Sequence, residues 1–184
     1  MRTNLEFASV DKPLRTILIT GAEVGDGKTT IAVNLASIIA QGGKRVLLLD
    51  ADLRRPRVHR FMGVHNKAGL TDLFRGTHRI EEVKYTFDES NAGSVSVIPT
   101  GSLPPNPAEL LGTKKMETLL EKLAKTVDMV VIDSPPTLVA DAQILASKVD
   151  GVLIVLTPGR THMGALRSLV EQLTTAGAHV VGVV

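Results

Sequence analysis

Three observations predict an α/β fold with a mostly parallel central sheet and helices on both faces. Short runs of branched aliphatic residues alternate along the chain with longer segments of helical periodicity, and a glycine-rich loop joins the first such pair. The apolar share of 43% is carried by Val, Ile, Leu and Ala, with aromatics at only 3%. That is the composition of strands buried on both faces. Residues 1–11 form a mixed polar lead-in, either a helix end or an arm. The first strand is predicted over Arg15 to Thr20, and the first helix runs from Lys28 to about Gln41, where Ile31, Leu35, Ile38 and Ile39 recur before Gly42 and Gly43. Val46 to Leu49 is the second strand, which closes a parallel β-α-β unit. A short helix follows between Gly69 and Gly76, then a polar span through Asn91, a strand over Val95 to Ile98, and an irregular loop from Pro99 to Pro107. Met116, Leu119, Leu120, Leu123 and Val127 define an amphipathic helix, and Met129 to Ile132 a fully apolar strand ending at Asp133. A helix near Ala140 to Lys148, a strand over Val152 to Leu156, a helix from Met163 to Thr175 and a strand from His179 to Val184 complete the alternation. There is no internal repeat, and 184 residues suit one domain.

The loop between the first strand and helix carries the chemistry. Residues 22–30 read AEVGDGKTT and fit [A/G]-x-x-x-x-G-K-[S/T], with Ala22 in the first place. Gly25 and Gly27 let the backbone curl so that N–H groups along Glu23, Val24, Gly25, Asp26, Gly27, Lys28, Thr29 and Thr30 converge on phosphate. The helix N-terminus adds positive potential, Lys28 can reach the β and γ phosphates, and the Thr29 hydroxyl can ligate Mg²⁺. ATP or ADP with Mg²⁺ is therefore the expected ligand. Asp50 and Asp52 stand at the carboxyl end of the second strand and Asp133 at that of a later one, the edge where open parallel sheets gather ligands. Mg²⁺ takes one or two carboxylates besides its waters and phosphates, and a remaining carboxylate can accept a proton from an attacking hydroxyl.

Composition narrows the alternatives. The chain has no cysteine, which excludes thiolate-bound zinc and iron–sulfur clusters, and no apolar run of about 18 residues or leader, so a cytoplasmic location is expected. A net charge of +2 does not point to nucleic acid, and only Phe61 is near enough to the basic cluster to stack on a base. In that cluster, Arg54 and Arg55 suit a phosphate, an acidic or phosphorylated partner segment, or a solvated loop. Arg57 and Arg60 read as solvated, and His59 as a packed or hydrogen-bonded residue.

The motifs AEVGDGKTT, VLLLDADLRRP, IPTGSLPPNPAELL and MVVIDSPPTLVADA together resemble the bacterial protein-tyrosine kinases of exopolysaccharide synthesis, and the resemblance covers almost the whole chain. The first and last motifs are shared with MinD, ParA and Mrp ATPases. The resemblance implies a P-loop kinase that autophosphorylates on tyrosine and regulates capsular or extracellular polysaccharide synthesis and export. It implies that Lys28 stabilises the transferred phosphoryl group, that Asp50 is the base toward tyrosine, and that Thr29, Asp52 and Asp133 organise Mg²⁺. Asp52 thus belongs to the catalytic set with Lys28 and Asp50. Partners implied are tyrosine-rich protein segments and a membrane adaptor or fused membrane domain, which would hold the chain at the inner face of the membrane. MinD and ParA carry a lysine where this chain has Glu23, and a carboxylate there disfavours their dimer-completed ATPase mechanism. An ATPase that positions a partner without phosphorylating it is the alternative. The family's E-x-x-R-x-x-R ring segment is matched only at Arg2, and the single tyrosine is Tyr85. A mainly monomeric chain, either a trimmed catalytic core or a divergent short member of the family, is therefore expected to label itself poorly.

Overall fold

The computed structural model describes residues 14–89, 93–136 and 140–184. The strands are β1 (Thr16–Gly21), β2 (Arg45–Asp50), β3 (Tyr85–Asp88), β4 (Ser94–Ile98), β5 (Met129–Asp133), β6 (Gly151–Val155) and β7 (Val180–Val183). They form one sheet in the order β3-β4-β2-β5-β1-β6-β7, parallel throughout except for β3 against β4. The helices are α1 (Lys28–Gln41), α2 (Val58–Phe61), α3 (Leu70–Arg75), α4 (Ile80–Val83), α5 (Pro107–Gly112), α6 (Lys114–Thr126), α7 (Ala140–Ala146) and α8 (Met163–Thr175). The expected fold class is what the chain adopts. None of these helices is long and apolar enough to cross a membrane.

Two aliphatic layers sandwich the sheet because strand side chains alternate between its faces. Ile17, Ile19, Val46, Leu48, Val131 and Leu153 meet Ala32, Leu35, Ala36 and Ile39 of α1 on one face. Leu18, Leu47, Leu49, Val130, Ile132, Val152 and Ile154 meet Met116, Leu120 and Leu123 of α6 and Leu169 and Leu173 of α8 on the other. Each fully buried Leu or Ile contributes about 1.5–3 kcal/mol. Rigid packing of β1, β2 and β5 therefore fixes the carboxyl ends of three adjacent strands, where the loop and the acids stand. The register sets Asp50 beside Asp133 across the β2–β5 pair.

The structure departs from expectation in two stretches. The span read as polar contains α4 and the edge strand β3, which pairs antiparallel with β4. Its signal is weak because one face of an edge strand stays in water: Thr86, Phe87 and Asp88 are exposed, and Thr86 spends its hydroxyl on the Ser96 hydroxyl, 3.0 Å away. Pro107–Gly112 is helical, with proline in the first turn where its missing N–H costs nothing. Thr113 then starts α6, its hydroxyl accepting the Met116 N–H at 3.3 Å. Arg2 and the rest of the lead-in lie outside the described residues.

Candidate active site

β1 delivers the chain into a loop built from both sides. Gly25 and Gly27 each have φ of 90°, a left-handed conformation that a side chain would strain, and Gly27 is the N-cap of α1. Asp26 is buried, and its carboxylate serves the loop from behind: Oδ2 accepts the Glu23 N–H at 2.7 Å and Oδ1 the Thr161 hydroxyl at 3.1 Å. The Glu23 side chain is turned away as well, toward the backbone N–H of His162 at 3.4 Å. Neither acidic side chain lines the cleft, and the Glu23 N–H, expected to meet phosphate, is instead taken by Asp26, so of these two positions only the Asp26 N–H is left to offer an anion. The Lys28 ammonium donates to the Glu23 carbonyl at 2.7 Å, and two further donors remain on it. Burial lowers its pKa against the opposing pull of Asp26, Asp133 and Asp52.

The acids divide by depth. The Thr29 hydroxyl donates to Asp133 Oδ2 at 2.7 Å, while Asp133 Oδ1 is buried with no hydrogen-bond partner. Burial raises the Asp133 pKa to about 7 against the lowering effect of that bond. Asp50 is fully buried, and its oxygens accept the N–H groups of Val58 at 3.1 Å and Asp52 at 3.3 Å. Desolvation, then Asp133 and Asp52, push its pKa well above the usual carboxylate range. Asp52 is half-buried and is the carboxylate that lines the cleft. Of the three acids at this edge, Asp52 lines the cleft and Asp133 meets the loop through Thr29, whereas Asp50 is turned to the N–H groups of Asp52 and Val58 and does not line the cleft. Asp50 ends β2 and still belongs to the sheet's buried edge, whereas the chain has left the strand by Asp52.

The cleft itself measures about 420 Å³, within the range of small-molecule sites. It is lined by the loop and Lys28 together with Asp52, Phe61, Pro135, Pro136 and three arginines. Arg57, read from sequence as merely solvated, is one of those three. Arg54 makes a bidentate pair with the fully buried Asp141 of α7, at 2.8 and 3.0 Å. Sequence reasoning missed this partner, 87 residues distant, although Asp141 lies in the fourth motif as an acid in the first turn of an apolar helix. It also missed Arg160, whose guanidinium lies 3.3 Å from where a Cβ on Gly25 would stand. His59 is packed, but its Nδ1 has no hydrogen-bond partner. Arg54→Met should destabilise the chain by about 3–5 kcal/mol, because it leaves the fully buried Asp141 carboxylate without its partner, whereas the Asp141→Asn variant removes that buried charge, leaves the 44% exposed Arg54 to water and should cost less. Urea denaturation of the two variants checks it: equal, negligible losses would mean the fork holds nothing together.

A glycine loop between β1 and α1 at the carboxyl edge of a parallel sheet, with an acid ending the neighbouring strand, defines a P-loop ATPase fold. An AAA-domain family model matches residues 14–180. Tyrosine-protein kinase YwqD of Bacillus subtilis (strain 168) is 42% identical over 185 residues, covering all of this chain and 77% of that protein. Tyrosine-protein kinase Etk of Escherichia coli (strain K12) is 35% identical over the whole chain, which spans only 25% of Etk. The solved kinase domain of Etk superposes with a TM-score of 0.91 at 36% identity, over 99% of this chain and 71% of that one. The cell-division ATPase MinD of Pyrococcus furiosus follows at 0.76 and 26%, over 92% and 70%. The chain belongs to the bacterial tyrosine-protein kinase family.

Proposed function

We propose that the chain binds Mg·ATP against residues 22–30 and transfers the γ-phosphoryl group to a tyrosine hydroxyl of a protein segment. The observation that carries this reading is the buried constellation at the loop's base, Lys28 beside Thr29 and Asp133, with Asp133 Oδ1 left without a hydrogen-bond partner. Such an orphaned oxygen suits a cation. Among the described residues no three His, Cys, Asp or Glu side chains form a metal cage. Mg²⁺ takes few protein ligands beside phosphate and water.

In this reading Thr29, Asp133 and Asp52 hold the metal, and Lys28 with the loop N–H groups meets the phosphate oxygens. When bound there, Mg²⁺ would neutralise phosphate charge and offset the repulsion among the three acids, favouring the ionised form of Asp50. The tyrosine oxygen bonds to the γ-phosphorus as the bond to the β–γ bridging oxygen breaks, ADP leaves, and the phenolic proton passes to Asp50 by way of Asp52, the carboxylate that lines the cleft. Glu23 at the loop's second position also favours this over a charge supplied from a neighbouring subunit. Tyr85, the single tyrosine, is half-buried in β3 and is a poor acceptor.

The same reading has the chain regulate exopolysaccharide or capsular polysaccharide synthesis and export from the inner face of the membrane, with a membrane adaptor or fused membrane domain. The resemblance of its motifs supports this, as does the length of Etk beyond the matched quarter. Incubation with labelled ATP and a tyrosine-rich peptide tests the chemistry: label on tyrosine supports the kinase. Release of free phosphate alone would favour an ATPase of the MinD type, and binding with neither product a noncatalytic role.

Metal affinity should depend on pH with a definite sign. Asp133 has a folded-state pKa raised to about 7, so its protonated form stabilises the ligand-free fold below the unfolded pKa, and that contribution is lost as pH rises through 7. Mg²⁺ needs the ionised form. The rise in Tm produced by Mg·ADP should therefore be larger at pH 8 than at pH 6, and an equal rise at both would remove Asp133 from the metal site.

A further inference from the structure

We propose that Arg55, Arg57 and Phe61 form an acceptor subsite that selects tyrosines flanked by acidic residues. The inference rests on the kinase reading of the cleft and adds the chemistry of its protein substrate. The cleft wall carries four cationic side chains, Lys28, Arg54, Arg55 and Arg57, against one carboxylate, Asp52. Two of the cations are already committed: Lys28 is buried at the loop's base, and Arg54 gives its fork to Asp141.

Arg55 and Arg57 are different. Both are exposed at the cleft, and among the described residues neither side chain has a hydrogen-bond or ion-pair partner. Their placement is nevertheless built. Asp52 Oδ1 accepts the N–H of Arg54 at 3.1 Å and of Arg55 at 2.9 Å, and Asp50 Oδ2 accepts the N–H of Val58, so the carboxylates of the site shape the turn that presents both guanidinium groups. A pair of unpaired forks two residues apart matches carboxylates spaced along an extended peptide.

The same cleft also carries apolar surface. Phe61 is 51% exposed and Val24 50% exposed, and both line the cleft with Pro136. An exposed aromatic in a cleft lining suits an offset or edge-on contact with another ring. A tyrosine laid there would reach past Phe61 toward the loop, and its acidic neighbours would meet Arg55 and Arg57. Charge complementarity thus specifies the occupant as an acidic tyrosine-bearing segment rather than a basic one.

Three fluorescent peptides of equal length, with one tyrosine flanked by Glu, Ala or Lys, separate the possibilities. Anisotropy titration onto the chain saturated with Mg·ADP reads the subsite without turnover, and transfer of label from ATP to the same peptides reads the kinase. The Glu peptide should bind at least about tenfold more tightly than the Lys peptide at low salt, with the difference shrinking as salt is added. Arg55→Gln combined with Arg57→Gln should abolish that preference while ADP affinity stays within about twofold. Acidic preference without transfer would keep the subsite and sink the kinase. Transfer to all three peptides without preference would do the reverse. A parallel loss of ADP affinity in the double variant would assign the arginines to the nucleotide and overturn the proposal.

Discussion

Lys28→Met should lose nucleotide affinity by about tenfold or more and phosphoryl transfer by a further factor of about 10² to 10³. The first figure follows from removing a charged hydrogen-bond donor, worth about 1.5–3 kcal/mol, and the second from removing a preorganised charge aimed at the transferring group. Stability controls the interpretation. The lysine is buried, desolvation lowers its pKa, and its ammonium is held by the Glu23 carbonyl. Methionine keeps the bulk and drops the desolvation cost, so the variant should melt at or above the wild-type temperature. Calorimetric titration with Mg·ADP and a thermal scan on the same sample check both halves. Unchanged affinity would remove the phosphate-loop assignment, and a collapsed Tm would mean that Lys28 supports the fold instead.

The regular elements were legible because they rest on local periodicity. α1 was placed over Lys28 to Gln41 and α8 over Met163 to Thr175, and the structure gives the same ranges, since each has an apolar stripe and a glycine near its end. The edge strand β3 was not legible, because Phe87 and Asp88 face water and carry no alternation that burial would enforce. The loop's residue types were readable, but their division of labour was not. Asp26 sits inside the motif, yet its carboxylate holds the Glu23 N–H and Thr161, a contact that depends on the loop after β6 coming within reach. Likewise the Arg54 partner lies on α7, and only the β2–β5 pairing brings the two elements to one edge. Depth was the harder property: Asp50 and Asp52 are two residues apart, and whether each stays in the sheet or leaves it depends on where β2 ends.

That difference in depth makes Asp50→Asn the sharper test of chemistry. A base toward tyrosine needs a proton affinity close to the working pH, and Asp50 has a raised one because it is desolvated and stands in register with Asp133. Asparagine preserves the shape and can still accept one of the two N–H groups from Val58 and Asp52, but it cannot take up a proton. The other N–H then faces an amide donor, a loss of about 1–3 kcal/mol in stability that removal of one buried acid from a cluster of three partly offsets. Turnover should fall by about 10² to 10⁴, the usual contribution of a positioned base, while ADP affinity changes only a few-fold because Asp50 does not line the cleft. Rates of transfer to a supplied tyrosine peptide, set beside ADP titrations of the same variant, separate the two effects. If Asp50→Asn lost affinity and turnover in equal measure, Asp50 would be an organiser of Asp52 and the metal, and the proton would stop at Asp52, the carboxylate that faces the cleft.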